Sequence, residues 1–272
     1  MQLAFIGGGN MARAIIGGLL ARGTKAAAIG VVEPDAAARD RLARELGVFA
    51  MEKAGPAMDR ASTVVMAVKP QNMRQAASAC APHVKGALVV TIAAGIRIAD
   101  LSRWLGGHSR IVRAMPNTPA LVRAGVTGLH APANVMASDR AAATALTDSV
   151  GESLWFEREE DLDAVTAVSG SGPAYVFYAI EALESAALEM GLPAGAARSL
   201  AVATFAGASK LAAERGEDPA VLRAQVTSKG GTTERALGVL EEAKVKAAFV
   251  AAAKAAWERS RELGEALGRD SP

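Results

Sequence analysis

The chain has 272 residues, enough to bury a full core and, by its length, to make two domains. Apolar residues at 51% and charged residues at 21% exclude a disordered chain. A formal net charge of +2, 4% aromatics and no concentrated basic stripe exclude a nucleic-acid surface with stacking platforms. The single cysteine, Cys80, cannot form an internal disulfide, and a reducing compartment, the cytoplasm, is the simplest reading. The start of the chain reads as a strand entering a glycine turn rather than as a signal peptide. The later apolar segments are broken by Gly, Lys or Arg and predict no membrane span.

Residues 2–6 predict a short apolar strand, followed by Gly7, Gly8 and Gly9 and then by helical periodicity from Asn10 to Ala21. A glycine turn set directly between strand and helix is the context of a dinucleotide fingerprint, here Gly7-x-Gly9-x-x-Ala12. The expected cofactor-binding residues are Ile6, Gly7, Gly9, Asn10, Met11 and Ala12, the helix start facing the pyrophosphate and Ala12 letting helix and strand approach; the plain alternative is a glycine-rich surface turn. A second strand over 26–32 ends at Glu33. An acidic residue there accepts from the adenosine ribose hydroxyls and repels a 2′-phosphate, which leans the reading toward NADH over NADPH. Arg39 and Arg41 lie near enough in sequence to blur that, and Glu33 reads equally as a cap or first-turn charge on a helix beginning at Pro34.

The alternation continues with a helix over 34–46 closed by Gly47 and a strand over 63–68. That strand ends at Val68, Lys69 and Pro70, where parallel strands gather their ligands, although Lys69 also reads as an ordinary solvated lysine. Further strands are predicted over 88–92, 111–116, 126–130 and 152–156, with a helix over 138–150. The strand over 111–116 delivers Met115, Pro116, Asn117 and Thr118, a proline-bounded segment able to offer amide and hydroxyl groups beside a nicotinamide. The first domain is expected to be an α/β Rossmann-type domain over 1–160 with a mostly parallel sheet.

The rest, 161–272, predicts only helices: one opened by Ser169 and running to Met190, one to Glu214, a short one over 219–225, and a final one over 244–266. Alanine dominates them and contributes little apolar area, so this half suits packing against a second copy; a self-sufficient bundle is the alternative. Within it, Val226 to Arg235 (VTSKGGTTER) predicts a diglycine turn feeding a helix start. The amides of Gly231 to Thr233 and the dipole there suit a carboxylate, and the hydroxyls of Ser228, Thr232 and Thr233 could bond to a ring nitrogen or to the carboxylate. Helix capping by the threonines is the other reading. The three histidines, His83, His108 and His130, are scattered, and no spacing suggests a metal site or a nucleophile elbow. An enzyme whose hydride comes from a cofactor needs neither; a cyclic imine is a suitable acceptor.

Five segments resemble the bacterial delta-1-pyrroline-5-carboxylate reductases: Phe5 to Ala12 (FIGGGNMA), Ala67 to Pro70 (AVKP), Arg113 to Pro119 (RAMPNTP), Ala167 to Tyr175 (AVSGSGPAY) and Val226 to Thr233 (VTSKGGTT). The resemblance implies reduction of L-1-pyrroline-5-carboxylate to L-proline with NADH or NADPH. It also implies an all-α C-terminal dimerisation domain over 161–272 and dimers that assemble further into a decamer. By resemblance, Thr233 lies near the imine nitrogen; Ser228, Gly230, Gly231 and Thr232 hold the carboxylate; Val68, Lys69 and Pro70 line the cofactor, with Met115 to Thr118 by the nicotinamide. The two glycine corners are then expected to open onto a common cleft. Three positions depart from the family: Lys229 stands for a proline, Ala54 for an asparagine, and Glu33 for the Asn or Ser that admits a 2′-phosphate. The competing enzyme reading is a beta-hydroxyacid dehydrogenase, which is expected to carry a lysine on the helix over 171–190; none is present.

Overall fold

The computed structural model describes residues 1–269, so the last three positions of the expected second domain lie outside the described residues. The chain forms two compact units, Met1–Gly170 joined by the stretch from Ala256, and Ser171–Ala255. The division thus falls ten residues after the expected boundary at 160, and the end of the last helix returns to the first unit.

The first unit runs β1 (Leu3–Ile6), α1 (Asn10–Ala21), β2 (Ile29–Val32), α2 (Ala36–Leu46), β3 (Phe49–Met51), β4 (Thr63–Met66), α3 (Met73–Cys80), β5 (Leu88–Thr91), α4 (Ile98–Trp104), β6 (Ile111–Pro116), β7 (Gly125–His130), α5 (Ala137–Asp148), β8 (Gly151–Trp155) and α6 (Asp161–Val165). Its sheet has the order β3-β2-β1-β4-β5-β6-β7-β8. Neighbours are parallel except β6 and β7, which pair antiparallel with Arg113 opposite His130. β1 lies between β2 and β4, with Phe5 opposite both Val31 and Val65. The strand order therefore reverses beside β1, at the place where open α/β sheets hold ligands.

These strands form because both faces are buried. Phe5, Val31, Val65, Val90 and Val112 pack with Ile15 and Ile16 of α1 on one side. Ala4, Ile6, Val64, Met66, Val89 and Ile111 pack with Met73 and Leu101 on the other. Alternate residues of one strand thus enter opposite cores, each larger side chain contributing about 1.5–3 kcal/mol. Several boundaries differ from the sequence expectation. Ala26–Ala28 form a 3-10 turn, so β2 starts at Ile29. Helix α2 starts at Ala36 rather than Pro34, because Asp35 caps it by accepting from the Ala38 amide at 2.6 Å. It closes at Gly47 with φ 67°.

The second unit holds α7 (Gly172–Glu189), α8 (Ala194–Arg215), α9 (Pro219–Gln225), α10 (Thr232–Glu242) and the first part of α11 (Val245–Gly268). Ser169 does not cap α7: a π-type turn over Thr166–Gly170 intervenes, and Ser171 takes the N-cap position without a side-chain bond. The buried residues of this unit are Ala187, Ala197 and Ala201, all alanine. Larger apolar groups lie at its surface, including Tyr178 at 74% and Met190 at 75% exposure. Among the described residues no helix is long and apolar enough to cross a membrane.

The end of α11 is tied to the first unit by small residues and by two hydrogen bonds, one of them from the Arg103 guanidinium to the Gly268 carbonyl at 2.9 Å. The Ser260 hydroxyl donates to Asp163 at 2.8 Å. Glycine at 264 lets the helix lie close to the Gly95 carbonyl oxygen, which a Cβ there would meet at 3.4 Å.

Candidate active site

The glycine corner between β1 and α1 has three positions with three different constraints. Gly7 adopts φ 98°, and a Cβ there would stand 2.8 Å from the Ala67 carbonyl oxygen. Its N–H donates to the Val32 carbonyl at 2.8 Å. A Cβ on Gly8 would come within 2.5 Å of Leu42 Cδ1. Gly9, in contrast, has ordinary angles (φ −67°, ψ −178°) and would meet no atom within 4 Å. It is the N-cap of α1, without a side-chain cap and with no acidic residue in the first turn. The first amides of α1, from exposed Asn10 onward, therefore face outward unopposed, as a phosphate requires. Met11 is half-buried, and Ile6 and Ala12 are buried beneath the corner. This geometry fits a dinucleotide's pyrophosphate.

The β2 end closes over the same corner. Glu33 accepts from the Gly8 N–H at 2.9 Å and from the Asp35 N–H at 3.1 Å. It is not the cap of α2, a role that Asp35 fills. Arg39 donates to the backbone carbonyls of Glu33 at 2.9 Å and Pro34 at 2.7 Å. Its guanidinium thus braces the corner that carries Glu33. Across the strand-order reversal, Val68 is half-buried with a methyl 3.0 Å from where a Gly7 Cβ would be. Lys69 is exposed and opens a 3-10 turn whose first residue is Pro70. The first unit therefore brings Gly7, Gly9, Glu33 and Val68 to one edge of the sheet.

At the end of β6, Met115 packs so closely on Gly170 that a Cβ there would lie 2.7 Å from its Cε. Pro116 is buried and Thr118 exposed. Asn117 is 9% exposed, and its carbonyl oxygen accepts from the Val126 N–H at 2.9 Å. One of the amide's four possible hydrogen bonds thus fixes the start of β7.

A buried charge cluster escaped the sequence reading. Arg113 and Asp163 are each 1% exposed, 3.8 Å apart. Arg113 also pairs with Glu159 at 3.1 Å, and Asp163 accepts from Arg97 at 2.9 Å. Glu159 further accepts from the Ile98 N–H at 2.8 Å. Burial pushes the Arg113 guanidinium below its ordinary pKa, opposed by Glu159 and Asp163. The available signal was an arginine within the apolar run from Ile111 to Met115.

The remaining titratable candidates are engaged elsewhere. His83 pairs with Asp59 at 2.7 Å, His108 bonds the Ala87 carbonyl at 2.9 Å, and His130 bonds the Phe156 carbonyl at 3.0 Å. Burial pushes the Cys80 thiol up to about 12, so it stays protonated. Among the described residues no group of three His, Cys, Asp or Glu is placed to hold a metal ion.

In the second unit, the diglycine corner leads into α10. Gly230 adopts φ 73°, the left-handed conformation that glycine tolerates. The Gly231 N–H donates to the Ser228 carbonyl at 3.0 Å, so of the three amides expected for a carboxylate this one is taken. The N-cap is Gly231 itself, with no side-chain cap, so neither Thr232 nor Thr233 is a cap. Their amides, in the first turn, have no intrahelical partner. Ser228 and Thr232 are exposed and Thr233 is half-buried. The arrangement offers two outward amides at the positive end of a helix, with hydroxyls beside them.

Residues 159–263 match the family model described as pyrroline-5-carboxylate reductase dimerisation, and residues 2–95 match the one described as NADP oxidoreductase coenzyme F420-dependent. The chain is 44% identical over 269 residues to the pyrroline-5-carboxylate reductase of Pseudomonas aeruginosa, covering 98% of each. Among solved structures it resembles a pyrroline-5-carboxylate reductase from Coxiella burnetii (TM-score 0.91, 39% identity, covering 96% of this chain and 98% of that one). It also resembles the pyrroline carboxylate reductase of Plasmodium falciparum with NADP bound (TM-score 0.86, 28% identity, 97% and 98% covered). With that identity sustained from one end to the other and the fold matched throughout, the chain belongs to the pyrroline-5-carboxylate reductase family.

Proposed function

We propose that this protein reduces L-1-pyrroline-5-carboxylate to L-proline with a hydride from NAD(P)H, and that it prefers NADH. The activity rests on the 44% identity to the Pseudomonas aeruginosa reductase over 98% of both chains. The beta-hydroxyacid dehydrogenase reading fails on its lysine: α7, from Gly172 to Glu189, contains none.

The first unit receives the dinucleotide. The α1 amides from Asn10 hold the pyrophosphate, Gly9 leaves it room, and Glu33 accepts from the ribose hydroxyls. Val68, Lys69, Pro70 and the Met115–Thr118 segment line the rest, by family resemblance. The bound dinucleotide supplies the hydride taken up by the imine carbon. The second unit receives the substrate. The amides of Thr232 and Thr233 hold its carboxylate, with Ser228 and the Gly230–Gly231 turn shaping the corner. Thr233 Oγ accepts from the ring N–H of the protonated imine. Fixing both ends of the small ring turns the encounter into an oriented one, the main service this chain performs for the reaction. After the carbon gains hydride, the ring nitrogen keeps its proton and takes one more from solvent.

The preference for NADH follows from Glu33. Its carboxylate sits over Gly8 and would meet a 2′-phosphate as a like charge. Arg39 is held on the backbone carbonyls of Glu33 and Pro34. The helical unit buries only alanines and exposes Phe177, Tyr178 and Met190, so we assign it to a homodimer interface, with a decamer of five dimers as the larger assembly. The buried, free Cys80 suits a cytoplasmic protein.

Steady-state oxidation of NADH and NADPH with pyrroline-5-carboxylate tests both parts. Consumption of neither cofactor removes the activity. A higher kcat/KM with NADPH removes the role given to Glu33.

A further inference from the structure

Glu234 lies in the first turn of α10, immediately after Thr233. Its carboxylate reaches back over the diglycine turn and accepts from the Gly230 N–H at 2.7 Å. That amide belongs to the residue in the left-handed conformation, so the bond holds the turn at its least common backbone angle. It also places a full negative charge at the corner whose free amides await a carboxylate. We propose that Glu234 sets substrate affinity through two opposed effects: its oxygen holds the corner in shape, and its charge repels the substrate's carboxylate. The inference rests on the reading of this corner as the substrate site.

The two effects are chemically separable. Holding the Gly230 N–H needs an acceptor oxygen of the right reach, which a glutamine also has. Repulsion needs the charge, which a glutamine lacks. Two like charges roughly 6 Å apart in water lower affinity about threefold. Lys229, exposed and adjacent to Gly230, supplies charge of the opposite sign at the same turn. A carboxylate in the first turn also favours the helix through its dipole. A purely structural Glu234 would therefore make glutamine slightly destabilising and leave substrate affinity no better.

The experiment is steady-state reduction of pyrroline-5-carboxylate by the full chain as wild type, Glu234→Gln and Glu234→Ala, at low and high sodium chloride. For Glu234→Gln the substrate KM falls about threefold at low salt, with the change on KM rather than kcat. The ratio of wild-type to variant KM then shrinks toward one as salt screens the charge. Glu234→Ala, which loses the acceptor, raises KM instead. An unchanged or higher KM in Glu234→Gln, a ratio indifferent to salt, or equal effects of glutamine and alanine would each overturn the proposal. A wild type that consumes no pyrroline-5-carboxylate would bring down the reading of the corner as well. An active wild type with a silent glutamine variant would bring down this inference alone.

Discussion

Gly9 offers a clean separation of cofactor binding from folding, because the protein itself leaves room for a side chain there. A valine at Gly9 has permitted backbone angles and meets no protein atom at Cβ. Its cost to the fold is the weaker N-cap preference, about 1 kcal/mol, or roughly 2–4 °C in Tm for a chain of this size class. Its branched side chain, however, stands where the α1 amides meet the pyrophosphate. Losing even one hydrogen bond to a charged group, about 1.5–3 kcal/mol, weakens NADH by roughly 10- to 150-fold. Gly8→Val makes the contrast: its Cβ falls 2.5 Å from Leu42 Cδ1, inside the core of the first unit. Overpacking there costs on the order of 1–3 kcal/mol of stability before any ligand is considered. Thermal melts together with NADH fluorescence titration read the two quantities separately. If Gly9→Val binds NADH within threefold of wild type, Gly9 does not lie at the pyrophosphate and the reading of the corner is wrong.

Thr233→Ala is expected to lower kcat by about tenfold or more while leaving NADH affinity unchanged, since the hydroxyl is assigned to the imine and not to the dinucleotide. Single-turnover and titration measurements separate the two, and an unchanged kcat would remove Thr233 from the reaction. Asp163→Asn leaves Arg97 and Arg113 without their shared anion in a site 1% exposed, and should cost about 3–5 kcal/mol in urea unfolding. A loss under 1 kcal/mol would show that the cluster is dispensable. Sedimentation at micromolar concentration should find a dimer or larger species; a monomer would refute the assignment of the apolar helix faces to a second copy.

The parts of this fold that could be read from the sequence are those whose signal is local. The inner strands, buried on both faces, appear as short apolar runs such as Thr63 to Met66 and Leu88 to Thr91, and the glycine corner follows its strand directly. Strand direction is not written in the strand itself: the mark that β7 runs antiparallel to β6 is the connection over 117–124, too short for a parallel crossover. The site residues divide the same way. Gly7 is legible because only glycine fits its backbone angle and the close approach of Ala67, and Gly9 from its place between strand and helix, whereas the bond from Val126 to Asn117 depends on how the intervening turn folds back.

The charge cluster is the extreme case. Arg113 meets Glu159 across 46 positions of sequence, and Asp163 meets Ser260 across 97. No window of sequence holds both partners, yet a lone arginine in an apolar strand already implies that they exist. Burying an unpaired guanidinium costs far more than a strand's apolar packing returns. Arg113 was therefore a statement about distant acids before either could be named. The return of the α11 end to the first unit, which composition alone assigned to the helical half, is the other side of that requirement: Ser260 supplies a hydrogen bond to the carboxylate that Arg97 and Arg113 share.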